Sequence, residues 1–217
     1  MTLKVISWNI RHGLGIDKIQ DLDRICAELK KKEADVIAIQ EIDRFAKRSK
    51  GIDQVEYIAN ELGYHSSFAK FFNHKTGGEY GLASFSKYPI TNTEVINMNP
   101  RSSTTNNKAL FTEFIFDGIA ISHYNFHFPF TRNATCWRNF YKLKFPKNSI
   151  LSGDFNQNPN GTDIEIIKKK WNDINEHETR PGMFIIDYNF SDMAPIESRV
   201  YETISSDHSI LETKYFL

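Results

Sequence analysis

The side chains able to do chemistry sit at the edges of apolar runs. Ser149-Ile150-Leu151-Ser152 ends at Gly153, and an acid and an amide, Asp154 and Asn156, follow. Gly153 allows a sharp turn, so both side chains would project from a strand end toward one spot in front of a sheet. A carboxylate beside a carboxamide can orient a water or hold a hydrated metal, although the same residue types also make ordinary polar turns. Asp207-His208 places an acid next to an imidazole just before an apolar run. Asp187 interrupts Ile185-Ile186-Asp187-Tyr188, where an ionised acid needs a partner, and His208 is the natural one. Asn9, Glu41 and His123 lie at or near the edges of three further runs. These segments offer oxygen ligands and no thiolate, which suits a hard cation such as Mg²⁺ and not structural zinc.

A rigid frame must bring these segments together. Residues 3–8 read as a buried strand, 10–15 as a glycine-containing loop and 19–32 as a helix with Leu22, Ile25, Cys26 and Leu29 on one stripe. The continuous apolar run 36–40 is a second buried strand, and the βαβ unit so formed brings Asn9 and Glu41 out at the same edge. Residues 54–62 form a second amphipathic helix, closed by Gly63. Strands are expected at 64–71, 81–86, 90–98, 109–116 and 119–124, with Asp117-Gly118 as a hairpin turn between the last two. Helices follow at 135–143 and 163–171, the latter capped by Thr162 or Asp163. Strands are expected again at 184–190 and 209–216, with a weaker signal at 199–203. Functional groups collected at strand ends are the usual arrangement in layered α/β folds. Residues 1–217 read as one domain, without repeat or linker.

Composition narrows the classes of function. The 217 residues include 27 basic and 27 acidic side chains, so there is no basic excess to hold nucleic acid or anionic lipid non-specifically. Seventeen Phe and nine Tyr point to an aromatic core of packed sheets. Cys26 and Cys136 lack metal spacing, and Cys26 on the helix stripe reads as a buried thiol. The start of the chain lacks a signal-peptide apolar region and no run reaches membrane length, so the expected location is cytoplasmic.

The ordered set Ser7-Trp8-Asn9-Ile10, Ile39-Gln40-Glu41, Tyr80 to Ile90, Ile121-Ser122-His123, Ser152 to Asn156, Ile186-Asp187-Tyr188 and Ser206-Asp207-His208-Ser209 resembles the endonuclease/exonuclease/phosphatase family. The resemblance runs from Leu3 to Phe216 and implies an α/β (α+β) fold, a four-layer α/β/β/α sandwich of two facing mixed sheets. It implies a hydrolase that directs a metal-assisted water at a phosphoester, with Mg²⁺, or alternatively Mn²⁺, as cofactor. Glu41 would be the principal metal ligand, with Asn9 and Asp207 beside it. Asp154 would orient or deprotonate the water and Asn156 would hold it. His208 would contact the phosphate, oriented by Asp187, and His123 would be the second catalytic histidine. Arg11 stands where some members carry a further acid. Asn125-Phe126-His127 departs from the family's small polar run, and His127 is assigned to local packing.

The substrate is less defined. Arg44 and Arg48 with Lys47 and Lys50 form a basic lip or a solvated loop, and Arg11, Arg44 and Arg48 are the candidate phosphate or substrate contacts. Phe126 to Phe130 form an apolar lip or pack inside. The expected activity is Mg²⁺-dependent hydrolysis of a small or lipid-linked phosphoester, with no obligate protein partner evident. A nuclease acting on DNA or RNA is the alternative, and a lipid headgroup is a further candidate partner. A catalytically dead binding module would have lost site acids, and all are present here.

Overall fold

The computed structural model describes residues 1–99, 107–182 and 184–217. The first sheet has six strands: β1 (Thr2–Asn9), β2 (Val36–Arg44), β3 (His65–Asn73), β4 (Glu79–Ser86), β10 (Ala194–Tyr201) and β11 (Ile210–Phe216), ordered β10-β11-β1-β2-β4-β3. The second has five: β5 (Ile90–Asn97), β6 (Lys108–Phe116), β7 (Ile119–His127), β8 (Ser149–Asp154) and β9 (Asp187–Ser191), in chain order. Helices α1 (Leu22–Lys32) and α2 (Gln54–Leu62) cover the first sheet, and α3 (Ala134–Phe140) and α4 (Thr162–Lys168) cover the second. The expected four-layer sandwich of mixed sheets is the observed fold.

Apolar cores hold the layers. Ile25, Cys26 and Leu29 of α1 pack on Ile6, Trp8, Ile37 and Ile39. Trp137 and Phe140 of α3 pack on Tyr124, Phe126, Leu151 and Phe190. Between the sheets, Leu3, Val5 and Val36 meet Phe114, Ile121 and Ile150. Cys26 is a free buried thiol, and its burial pushes the pKa up to about 12. Among the described residues no helix is long and apolar enough to cross a membrane.

The parallel pair β1–β2, bridged by α1, sets Asn9 opposite Gln40. In the second sheet the parallel pair β7–β8, bridged by α3, sets His127 opposite Asp154. The turn Asp117-Gly118 has φ of 49° and 80°, the paired positive values of a tight hairpin. Several elements differ from expectation. β2 continues past Glu41 to Arg44 through a bulge between Ile39 and Ile42, and β7 runs three residues beyond Tyr124. β10 is a full strand, and Gly161 takes the N-cap position of α4.

Gly153 is not the end of β8 but lies within it, with φ of 146°. A Cβ there would stand 2.0 Å from the Phe126 carbonyl oxygen, so the close approach of β7 and β8 requires glycine. Gly153→Ala is expected to cost about 3 kcal/mol of stability, through overpacking and a disfavoured φ. Urea unfolding checks this, and an unchanged midpoint would contradict the packing described.

Candidate active site

β1, β7 and β8 finish, β2 bulges, and β9 and β11 begin, around a cleft of about 370 Å³. Glu41, His127, Asp154, Asn156, Asp207 and His208 line its polar side, and Arg180 joins them. Phe71, Tyr80 and Phe128 are among its aromatic walls.

The floor is built on Asn9, which is 1% exposed. Its Nδ2 donates to Glu41 Oε1 at 3.1 Å and to Asp154 Oδ2 at 3.3 Å. Its Oδ1 accepts from the Arg11 backbone N–H at 3.1 Å, and its carbonyl accepts from the Ser206 hydroxyl at 2.7 Å. The amide oxygen therefore faces the chain, and the amino group holds two acids. Asn9 is thus arranged to position both carboxylates. Glu41 reaches this place because the bulge in β2 puts it at φ 56°. Across the bulge, Asn125 Nδ2 donates to the carbonyls of Ile39 at 3.0 Å and Ala83 at 2.8 Å, and Asn125 Oδ1 accepts from Gln40 Nε2 at 2.8 Å.

Asp154 is held by the Asn156 N–H, which donates to Oδ1 at 2.9 Å. Asn156 Nδ2 donates to the Phe128 carbonyl at 2.8 Å, which leaves Oδ1 as the amide atom available to a water. His208 Nδ1 lies 2.9 Å from Asp187 Oδ2, and its Nε2 lies 3.8 Å from Asp154 Oδ2. The expected His208–Asp187 partnership is therefore present. Trp8 Nε1 donates to the His208 carbonyl at 3.0 Å, and Thr179 Oγ1 accepts from the Asp187 N–H at 3.0 Å.

Burial and the neighbouring Asp187 push the Asp154 carboxyl up to about 6. Burial alone would pull the His208 imidazolium down, but the charge and hydrogen bond of Asp187, with Asp154 and Asp207 nearby, more than offset it. His208 is raised to about 9, so it is a cation at neutral pH.

The donor set fits a hard divalent cation. Glu41 makes no salt bridge among the described residues although it shares the Asn9 amide with a second acid. Asp187 Oδ1 is buried without a hydrogen-bond partner. Asp154, Asp187 and His208 bring ligand-type atoms within 4.8 Å of one another, and Asp207 adds a carboxylate to the cleft. All of these anionic donors are oxygens, as Mg²⁺ or Mn²⁺ prefers.

Four expected site residues lie elsewhere. His123 is fully buried between the sheets, with Nδ1 3.4 Å from Thr112 Oγ1, and does not line the cleft. His127 occupies the place expected for it. Residues 123, 125 and 127 share one face of β7, and only the last reaches the strand end, where Nε2 lies 3.6 Å from Asp154 Oδ2. Arg44 pairs with Asp53 at 2.7 Å and Arg48 with buried Asp43 at 2.8 Å, so both guanidinium groups are committed. Arg11 contributes its backbone N–H to Asn9, and none of the three arginines lines the cleft. Arg180 supplies the guanidinium instead, with Nη2 3.2 Å from Asp207 Oδ2. The signal for His127 was its parity with His123 in a strand that continues through Phe126. Arg180 was marked only by the turn-forming Pro181-Gly182 beside it.

Residues 6–208 match the family model described as "Endonuclease/Exonuclease/phosphatase family". The chain belongs to this family. Its members hydrolyse phosphoesters, generally with a divalent metal, and the chain is a phosphoester hydrolase of the endonuclease/exonuclease/phosphatase family. Among solved structures it is similar to a family protein of Beutenbergia cavernae, at 20% identity and TM-score 0.83, over 100% of this chain and 72% of that one. A family protein of Leptotrichia buccalis matches at 18% identity and TM-score 0.80, over 99% and 100%. A mannosyl-6-phosphatase of Bacteroides thetaiotaomicron matches at 16% identity and TM-score 0.70, over 99% and 100%. No curated protein matches the chain.

The displaced histidine leaves a thermodynamic mark. Burial pulls His123 down to about 3, so the folded state cannot accept a proton that the unfolded chain takes near pH 6.5. The full stability it allows is present above pH 6.5 and is lost as pH falls from 6.5 toward 3. His123→Gln is expected to remove this acid-side loss, worth about 3 kcal/mol by pH 4. Denaturant unfolding of both proteins between pH 4 and 8 checks it, and parallel curves would contradict the assignment.

Proposed function

We propose that the protein is a metal-dependent phosphodiesterase or phosphohydrolase acting on a small or lipid-linked phosphoester. The observation that carries this reading is the shared Asn9 amide, which holds Glu41 and Asp154 together beside the His208–Asp187 pair in an open cleft. Glu41 and Asp207 are the residues that would hold Mg²⁺ or Mn²⁺, with Asn9 fixing Glu41. The bound cation would neutralise phosphoryl charge and stabilise the departing oxygen.

The chain's own groups account for the remaining tasks. Asp154, with its pKa near 6, takes a proton from the attacking water, and Asn156 Oδ1 accepts the water's second hydrogen bond. His208, kept cationic by Asp187, donates from Nε2 to a phosphoryl oxygen. His127 is the second imidazole over the phosphate, and Arg180 is its guanidinium contact. Because Arg44 and Arg48 are spent on Asp53 and Asp43, the described residues form no continuous basic track along the cleft, which favours a small substrate over a long nucleic acid.

Hydrolysis of bis-p-nitrophenyl phosphate is expected to stop with EDTA and return with Mg²⁺ or Mn²⁺. Asp154→Asn is expected to lower kcat about a thousandfold while the melting temperature shifts little, because the lost carboxylate is a buried charge and not a core prop. A large loss of melting temperature with kcat retained would favour a structural role for Asp154.

Arg180→Ala is expected to lower kcat/KM about thirtyfold, with Arg180→Lys recovering part of it. Equal kinetics for the three proteins would remove Arg180 from the phosphate site. A screen of phosphodiesters, phosphomonoesters, DNA, RNA and phospholipids, with Asp154→Asn as blank, separates the substrate classes. Cleavage of nucleic acid alone would replace this reading with a nuclease.

A further inference from the structure

A second groove, of about 440 Å³, continues from the catalytic cleft, and Phe130, Asn156 and Arg180 line both. Its far wall is a short hairpin in which the Arg180 N–H donates to the Phe184 carbonyl at 3.1 Å and the Phe184 N–H donates back at 3.2 Å. This exchange pairs Phe184 directly with Arg180, and Phe184 lines the second groove but not the catalytic cleft. Phe184 is 49% exposed and Phe130 is 77% exposed. Neither ring has a ring partner among the described residues, although most of the other phenylalanines of the second sheet stack on one another. Two unpartnered phenyl rings beside one groove leave faces free for a flat group.

Most of the remaining lining side chains are polar (Arg132, Gln157, Asn158 and Thr162, beside Gly161 and Ile186) and argue against a hydrocarbon occupant. Gln157 donates from Nε2 to Asp163 Oδ2 at 2.8 Å, and its Oε1 is buried with no hydrogen-bond partner. An acceptor in that state calls for a donor from whatever fills the groove. Asn158 and Thr162 add further polar atoms at the same edge. An acyl chain would cover the rings and strand these groups, and a compact cationic headgroup would meet no carboxylate that is free. Asp163, the acid that holds Gln157, is already bonded to Arg132 at 2.7 Å and to the Tyr141 hydroxyl at 2.8 Å, and Asp207 is bonded to Arg180 at 3.2 Å. A flat heteroaromatic ring carrying N–H groups satisfies both demands at once.

We propose that the second groove binds a planar, hydrogen-bonding heteroaromatic arm of the substrate, of the nucleobase type, while Arg180 spans the phosphate between the two cavities. This rests on the phosphodiesterase reading above and narrows it, since a diester has a second arm to place and a simple monoester does not. Phe184 and Phe130 stack on the arm, and Gln157 Oε1 accepts from its edge.

Two readouts test it. In calorimetric titration, thymidine 5′-monophosphate is expected to bind more tightly than inorganic phosphate. Phe184→Ala weakens the nucleotide about tenfold and Phe184→Tyr restores it, the scale of one base–aromatic stack. In kinetics, thymidine 5′-(p-nitrophenyl phosphate) and p-nitrophenylphosphorylcholine share one leaving group and differ in the other arm. The wild-type protein is expected to favour the thymidine ester about tenfold in kcat/KM, and Phe184→Ala to erase that preference. Equal binding of nucleotide and phosphate, a preference that survives Phe184→Ala, or a preference for the choline ester would overturn the proposal. Phe184-dependent nucleotide binding with neither ester cleaved would uphold the groove and overturn the phosphodiesterase reading instead.

Discussion

The Asn9 carboxamide donates from one nitrogen to an acid of its own sheet, Glu41, and to an acid of the facing sheet, Asp154. Two buried or half-buried carboxylates so close would repel, and the amide N–H groups offset part of that repulsion. The same contact joins the layers: Glu41 rides on a bulge of β2 and Asp154 on the last residue of β8. Its own oxygen and carbonyl are fixed by Arg11 and Ser206, so the loops after β1 and before β11 are tied to the same point. The geometry of the cleft therefore depends on sheet-to-sheet packing, and the buried Gln40–Asn125 bond sets the distance between sheets just beneath it.

Above that floor, charge is arranged around protons. Asp154 and Asp187 are both acids near His208, yet their hydrogen bonds differ. Among the described residues Asp187 accepts from His208 Nδ1 and from no other side chain, whereas Asp154 faces His208 Nε2 and His127 Nε2 only at 3.8 and 3.6 Å. The closer pair keeps the imidazolium charged, and the looser contacts leave Asp154 buried and under-stabilised, with its pKa near 6. One acid supports a cation and the other is left basic enough to take a proton at neutral pH. Two carboxylates thus acquire separate tasks from environment alone.

Much of this was legible in residue order. Continuous apolar runs located β1, β2 and β8, Asp117-Gly118 located a hairpin, and the α1 stripe located the face buried on the first sheet. Acids and amides at strand ends located Glu41, Asp154 and Asp187, because a strand end is defined by local pattern. The histidine and the arginines were not local questions. His123 and His127 share a strand face, and only the length of β7 relative to its neighbours decides which is core and which is cleft. Arg44 and Arg48 follow Glu41 closely in sequence, but Asp53 and Asp43 lie within bonding reach and take their charge. Arg180 comes from a hairpin far along the chain, and its place depends on the Thr179 and Ser209 contacts that dock the segment against the site.

The pairing of charges bears on how a substrate is chosen. With 27 cations and 27 anions, and the arginines near Glu41 engaged in short ion pairs, the protein presents little net field to steer a polyanion. Selection then falls to contact. One guanidinium, Arg180, stands where two cavities meet, already leaning on Asp207, so in the proposed phosphate site an incoming phosphate would exchange one anion for another and not meet a bare cation. What the phosphate gains from that exchange is modest, and discrimination has to come from the groups on either side of it. The aromatic walls of the first cavity and the unpartnered rings and buried Gln157 oxygen of the second are the features of the described surface placed to supply it.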